Sequence, residues 1–177
     1  MSEIRTLAPW LRQFFSEHTV TERNLALNTR RSYRDAFTLL LPFIASKARK
    51  PVDRLTVRDL TAKRVLQFLS DLEERRGCSV QTRNQRLAAI RAFARFVSTR
   101  DPGQVDWYAQ IRAITTKKST PQPVSWLTRT EMDAVLEAAN RKTLRGRTEY
   151  ALLLFLYNTG ARVSSRRQPN WSWETYR

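Results

Sequence analysis

Two stretches combine cations with hydrogen-bonding side chains at the start of a helical pattern. One holds Asn28, Thr29, Arg30, Arg31 and Arg34; the other holds Ser79, Gln81, Thr82, Arg83, Asn84 and Arg86. Arg30 and Arg34 are four residues apart and share a helix face. Arg91 and Arg95 fall on a face near that of Asn84. A helix N-terminus offers unpaired N–H donors and a positive dipole end, so these residue types there suit phosphate contact. A helix so equipped also fits the major groove of a duplex. Other chemistries have few candidates. The single cysteine, Cys78, and single histidine, His18, exclude a disulfide framework and a multi-thiolate metal site. Cys78 has no nearby base to activate it, and His18 reads as a surface residue at a helix end.

The charge balance agrees with an anionic partner. The chain has 177 residues, with 32 Lys and Arg against 16 Asp and Glu, a net charge of +16. Uncompensated cations repel one another, so such a surplus points to a polyanion. Double-stranded DNA is the expected partner, with RNA and an anionic membrane surface as competitors. No segment gathers its cations opposite a bulky apolar face as a membrane-surface helix requires. The longest apolar run, "YALLLFLY", is too short to span a bilayer, and the N-terminus shows no signal-peptide pattern. The expected location is cytoplasmic and nucleoid-associated, with no membrane and no metal.

Helices must position these residues. Hydrophobic residues make up 41% of the chain, and the four glycines all lie between periodic segments, which favours a mainly α protein. A first helix is expected around Pro9–Glu17, burying Trp10 and Phe14 with Leu11 and Phe15 beside them. A second begins near Thr29, with Tyr33, Phe37, Leu40, Leu41 and Ile44 inward, and Pro42 is expected to kink or divide it. A third, "TAKRVLQFLSDLEERRG", places Val65, Leu66, Leu69 and Leu72 inward and stops at Gly77. A fourth, "VQTRNQRLAAIRAFARFVSTR", is capped by Ser79 and closed by Pro102. Four such helices make a small bundle over residues 1–114, its last part a helical turn or two at "VDWYAQIRAI".

The stretch 115–125, "TTKKSTPQPVS", has no apolar period and reads as a linker that could add Lys117 and Lys118 to a duplex contact. A second domain begins at residue 126. Thr128 and Glu131 have capping-box spacing, and Met132, Val135 and Leu136 form a buried stripe. The helix in "TEYALLLFLYNTG" is apolar nearly all round, which suits the centre of a core larger than residues 126–165 can build.

These segments, in this order, resemble the tyrosine recombinases of the phage-integrase family. "NTRRSYRDAFTLLLPFI", "LTVRDLTAKRVLQFL" and "SVQTRNQRLAAIRAFARFV" are similar to pieces of that family's SAM-like core-binding domain. "YALLLFLYNTGARVS" looks like the motif carrying its first catalytic arginine. The resemblance runs from about Leu7 to Ser164. It implies a four-helix SAM-like DNA-binding domain followed by the partial, helical start of a catalytic domain. Arg162 then matches the arginine that clamps the scissile phosphate, a task suited to a planar, bidentate guanidinium. Gly160 would let the backbone turn so that Arg162 emerges from a rigid helix end. The family forms a 3′-phosphotyrosyl link without metal or ATP, so no cofactor is expected, and other recombinase protomers are possible partners.

The sequence also departs from the family. Beyond Arg162 there is no lysine and no His-x-x-Arg box, and Tyr176 follows too closely to be the nucleophile. Residues 166–177, "RRQPNWSWETYR", lose all apolar rhythm, and their codon constraints permit a shifted frame resembling the family's continuation. They are expected to be a frameshifted tail. The expected protein is therefore a DNA-binding recombinase fragment that lacks catalysis. A stand-alone helical module that regulates or competes with an intact recombinase is the alternative.

Overall fold

The computed structural model describes residues 6–119 and 126–161. The chain divides into two compact units, Met1–Thr120 and Pro121–Arg177. In the first, α1 spans Leu7–Gln13, α2 Leu27–Ala48, α3 Ala62–Glu74, α4 Val80–Arg100 and α5 Val105–Ala113. Among the described residues there is no strand, only an isolated bridge between Thr6 and Thr56. Beside that bridge, the Leu7 N–H donates to Leu55 O at 2.7 Å.

The first helix departs from expectation. Its α-helical part ends at Gln13, and Phe14–Glu22 continues in the wider π-helical winding, which is rare at this length. The core explains what this winding serves. Phe14 is fully buried, with ring centroids 5.5 Å from Phe93, 5.4 Å from Phe96 and 6.3 Å from Phe37. His18, in the same winding, lies 5.5 Å from Phe14 and 5.1 Å from Phe96. Thr19 is also buried and donates its hydroxyl to Phe15 O at 3.0 Å.

Helix α2 is continuous, with Pro42 inside it, so the proline does not divide the helix. One donor is lost there, but Phe37, Leu40 and Ile44 bury on one face and hold the helix against its neighbours. Arg49 ends α2 in the left-handed region at φ 53, and the Lys50 N–H returns to Ala45 O at 3.1 Å. Helix α3 buries Val65, Phe68, Leu69 and Leu72, whereas Leu66 is 48% exposed. The error lies in the stripe: positions 65, 68, 69 and 72 follow the helical period, and 66 lies about a quarter-turn off it. After α3, Gly77 takes φ 59, a conformation costly for any residue with a Cβ. The Cys78 N–H then reaches back to Leu72 O at 3.0 Å.

Asp59 locks the α2–α3 connection. Lys50 Nζ donates to both its oxygens at 2.8 and 3.0 Å, and the Thr56 N–H and hydroxyl donate at 3.0 and 2.8 Å. Burial pushes the Asp59 carboxyl up, but these donors and the Lys50 charge outweigh it and hold it below the usual range. Helix α5 is longer than a turn or two: Ile111 buries against the core, and Trp107 Nε1 donates to Leu60 O at 2.7 Å.

The second unit contains α6, Arg129–Glu137, and α7, Leu144–Thr159. The capping box at the start of α6 is present: Glu131 accepts from the Thr128 N–H at 2.7 Å, and the Glu131 N–H donates back to Thr128 Oγ1 at 3.3 Å. Met132 and Leu136 are buried, but Val135 is 39% exposed, so the stripe is narrower than expected. Gly146 permits the close approach before α7, because a Cβ there would lie 1.9 Å from Asn140 O. Gly160 ends α7 at φ 61, with its N–H on Leu156 O at 2.9 Å. Phe155 and Tyr157 of α7 stay 39% and 49% exposed, so the apolar surface of this helix is incompletely covered within the described residues.

Candidate nucleic-acid interface

The packing of α2 against α4 decides where the candidate residues go. Phe37 of α2 lies 5.2 Å from Phe93 of α4, and Tyr33 faces a cavity lined also by Ala92, Arg95, Phe96 and Thr99. Further along α2, Phe43 and Lys47 share a groove with Arg83 near the start of α4. The two helices therefore run in opposite directions. Their N-terminal clusters sit at opposite ends of the bundle, about 20 Å apart at 1.5 Å per residue over Arg83 to Phe96.

At the α2 end the cations are uncommitted. No side chain caps this helix start, and no acidic residue occupies its first turn. Arg31 and Arg34 are exposed and make no ion pair with any described residue; Thr29 and Arg30 are half-buried, and Arg30 Nε is buried without a partner. Antiparallel packing brings Arg95 of α4 to the same cavity, together with Arg23 and Arg100. Arg100 is already committed, lying 4.0 Å over the Phe96 ring and paired with Glu22. His18 Nδ1 lies 2.7 Å from Glu22 as well, and that contact, with the Arg100 pair, lowers the Glu22 carboxyl's pKa. Arg23 was not legible as a lining residue of this cavity from spacing alone, since only the fold of the π-helical segment carries it there.

At the α4 end most polar groups are taken up inside the fold. Ser79 caps the helix, accepting from the Thr82 N–H at 3.2 Å and contacting its hydroxyl at 3.0 Å. Arg83 is 4% exposed and donates from one nitrogen to Thr115 O and Asn84 Oδ1, each at 3.0 Å. Asn84 Nδ2 donates to Lys117 O at 2.7 Å, and Arg86 donates to Cys78 Sγ at 3.1 Å. Lys117 Nζ pairs with Glu73 at 2.8 Å. Lys118 is exposed with no partner among the described residues. Arg162 and the 166–177 tail lie outside the described residues; the chain is described up to Ala161, just beyond the Gly160 turn.

Among the described residues no three His, Cys, Asp or Glu side chains group to hold a metal ion. None of their helices is long and apolar enough to cross a membrane.

Comparison with known proteins turns this helical frame into a lineage. Residues 10–104 match the model of the phage integrase N-terminal SAM-like domain. The chain belongs to the phage-integrase, or tyrosine recombinase, family. Within it, the chain is 41% identical over 164 residues to a putative integrase/recombinase of Sinorhizobium fredii, covering 93% of this chain and 58% of that protein. A second Sinorhizobium fredii integrase/recombinase is 40% identical over the same share of the chain and 49% of its own length. A tyrosine recombinase XerC of Roseiflexus castenholzii is 34% identical over 152 residues, or 85% of this chain and 45% of the relative. The chain thus spans about half the length of the curated relatives it matches. No solved structure matches it.

Proposed function

We propose that the chain is a duplex-DNA-binding portion of a site-specific recombinase and that, by itself, it cleaves no strand. The observation that carries the DNA reading is the uncapped start of α2, where Arg31 and Arg34 are exposed and, like Arg30, have no carboxylate partner among the described residues. Unpaired guanidiniums beside free N–H donors hold backbone phosphates by charge-assisted hydrogen bonds. Thr29 supplies a hydroxyl to the same end, and Lys118, Thr82 and Arg86 offer a second contact about 20 Å away, roughly six nucleotides of rise along one strand. Phosphate contacts of this kind set register and affinity and carry little sequence information.

Arg162, next after the Gly160 turn and Ala161, is the scissile-phosphate clamp in this reading. One guanidinium stabilises developing charge but supplies neither nucleophile nor general acid. The residues after it contain no lysine and no histidine to act with it, and groups that work as a unit lose nearly all activity when most are missing. The test is a salt titration of duplex binding together with a suicide-substrate assay. Duplex affinity that falls steeply with salt and no covalent protein–DNA adduct are the expected results. A tyrosine-linked adduct would overturn the non-cleaving part, and salt-insensitive or absent duplex binding would overturn the DNA part.

A further inference from the structure

Residues 114–117 follow α5 without regular structure, and Thr115 to Lys117 are exposed. Burial therefore does not hold them beyond Ile114, which is 6% exposed. What holds them is a row of side chains on α4. Arg91 donates to Arg112 O, at the end of α5, at 3.1 Å and also to Ile114 O. Arg83 donates to Thr115 O at 3.0 Å. Asn84 grips Lys117 from both sides, donating to its carbonyl at 2.7 Å and accepting from its N–H at 3.1 Å. Glu73 of α3 then takes the Lys117 ammonium at 2.8 and 3.0 Å.

The spacing is matched. Seven residues of α4 from Asn84 to Arg91 rise about 10 Å, and three extended residues from Ile114 to Lys117 span about 10 Å. The Asn84–Lys117 and Arg91–Ile114 contacts thus run the segment antiparallel to α4, and Arg83 reaches past Asn84 to Thr115 O. Buried Nε atoms of Arg83 and Arg91 without partners show how far these guanidiniums are drawn into the domain to reach main-chain carbonyls.

We propose that Arg83, Asn84 and Arg91 are a main-chain clamp. They are positioning residues that hold the end of α5 and residues 114–117 along α4 and fix where Lys118 and the following chain leave the first unit. Main-chain recognition accounts for arginine and asparagine on the face of α4 that carries this segment, where Arg83 is buried and Asn84 and Arg91 are half-buried. The consequence for DNA rests on the reading above: the clamp sets the place of Lys118, while Arg83 and Asn84 themselves touch no phosphate.

Amide exchange by NMR on the full chain tests the clamp. The Lys117 N–H is expected to exchange at least tenfold more slowly than that of Ser119. Asn84→Ala removes that protection while α4 amides such as that of Ile90 keep theirs. Asn84→Asp, which retains the acceptor, restores it. Lys117 exchanging as freely as Ser119 in the unaltered chain, or equally protected in Asn84→Ala, would overturn the clamp. A second arm uses Arg83→Gln, which keeps a donor for Thr115 O. Its slope of log affinity against log salt on a mixed-sequence duplex is expected to equal that of the parent chain. A slope shallower by about one would put Arg83 on a phosphate and sink its positioning role. Failure of the parent chain to bind any duplex would remove the DNA reading alone, and the exchange arm would still decide the clamp.

Discussion

The starts of α2 and α4 look alike in sequence and end up as opposites. Each gathers threonine, asparagine and several arginines within two turns, and neither has an acid in its first turn. At α2 the guanidiniums find no carboxylate, while at α4 the neighbouring segment 112–117 takes Arg83, Asn84 and Arg91. The same residue types therefore serve as a solvent-facing cation group in one place and as internal scaffolding in the other. Composition reports which groups can bind an anion; only packing reports whether a carbonyl has already claimed them.

The comparison depends first on the aromatic hub that sets α2 antiparallel to α4. Phe14→Ala removes a fully buried ring that meets both helices, and a loss of about 3–5 kcal/mol is expected in denaturant unfolding. A loss below about 1 kcal/mol would show that the two ends are held apart by something else. Next, Arg83→Ala removes a buried guanidinium with its charge-assisted bonds to Thr115 O and Asn84 Oδ1 and is expected to cost about 1–3 kcal/mol of stability. Arg34→Ala, at the exposed end, is expected to stay within about 0.5 kcal/mol of the parent chain. Equal stability effects at the two positions would erase the contrast.

Asp59 sharpens it further, as a carboxylate that does commit a cation. Its pKa is lowered in the fold, so its contribution is fully present above the unfolded value near 3.9 and is lost as pH falls through the lower folded value. Asp59→Asn is expected to cost about 1–3 kcal/mol at neutral pH and to flatten the acid limb of a stability profile below about pH 4. An unchanged acid limb would contradict the assignment. The smallest effect is on DNA: Arg31→Ala and Arg34→Ala are each expected to reduce the salt slope of duplex binding by about one, and Lys117→Ala by less, because Glu73 already holds that ammonium. Slopes that respond to Lys117 more than to Arg34 would reverse the roles of the two ends.

Much of the architecture was legible beforehand. The Ser79 cap, the Thr128–Glu131 box and the positive-φ turns at Gly77 and Gly160 all follow from local chemistry, which needs only a few adjacent residues. Trp10 and Phe37 fill the core as their spacing suggested. The π-helical winding from Phe14 was not legible, because local propensity favours an α-helix there and the aromatic cluster that rewards the wider turn comes from α2 and α4. Leu66 and Val135 were misplaced for a simpler reason: an apolar residue beside a buried stripe looks like part of it until the stripe's angle is known.

By itself, then, the sequence determined the helical class, the basic surplus, the caps and the family, since each is written in neighbouring residues or in composition. Which arginines remain available was decided by tertiary structure alone. Antiparallel packing carried Arg95 to the cavity that Tyr33 of α2 faces. The return of residues 112–117 along α4 turned Arg83, Asn84 and Arg91 inward. A guanidinium bonds to whichever acceptor the fold brings within about 3 Å, and that acceptor can lie, as Thr115 does from Arg83, some thirty residues away in the chain.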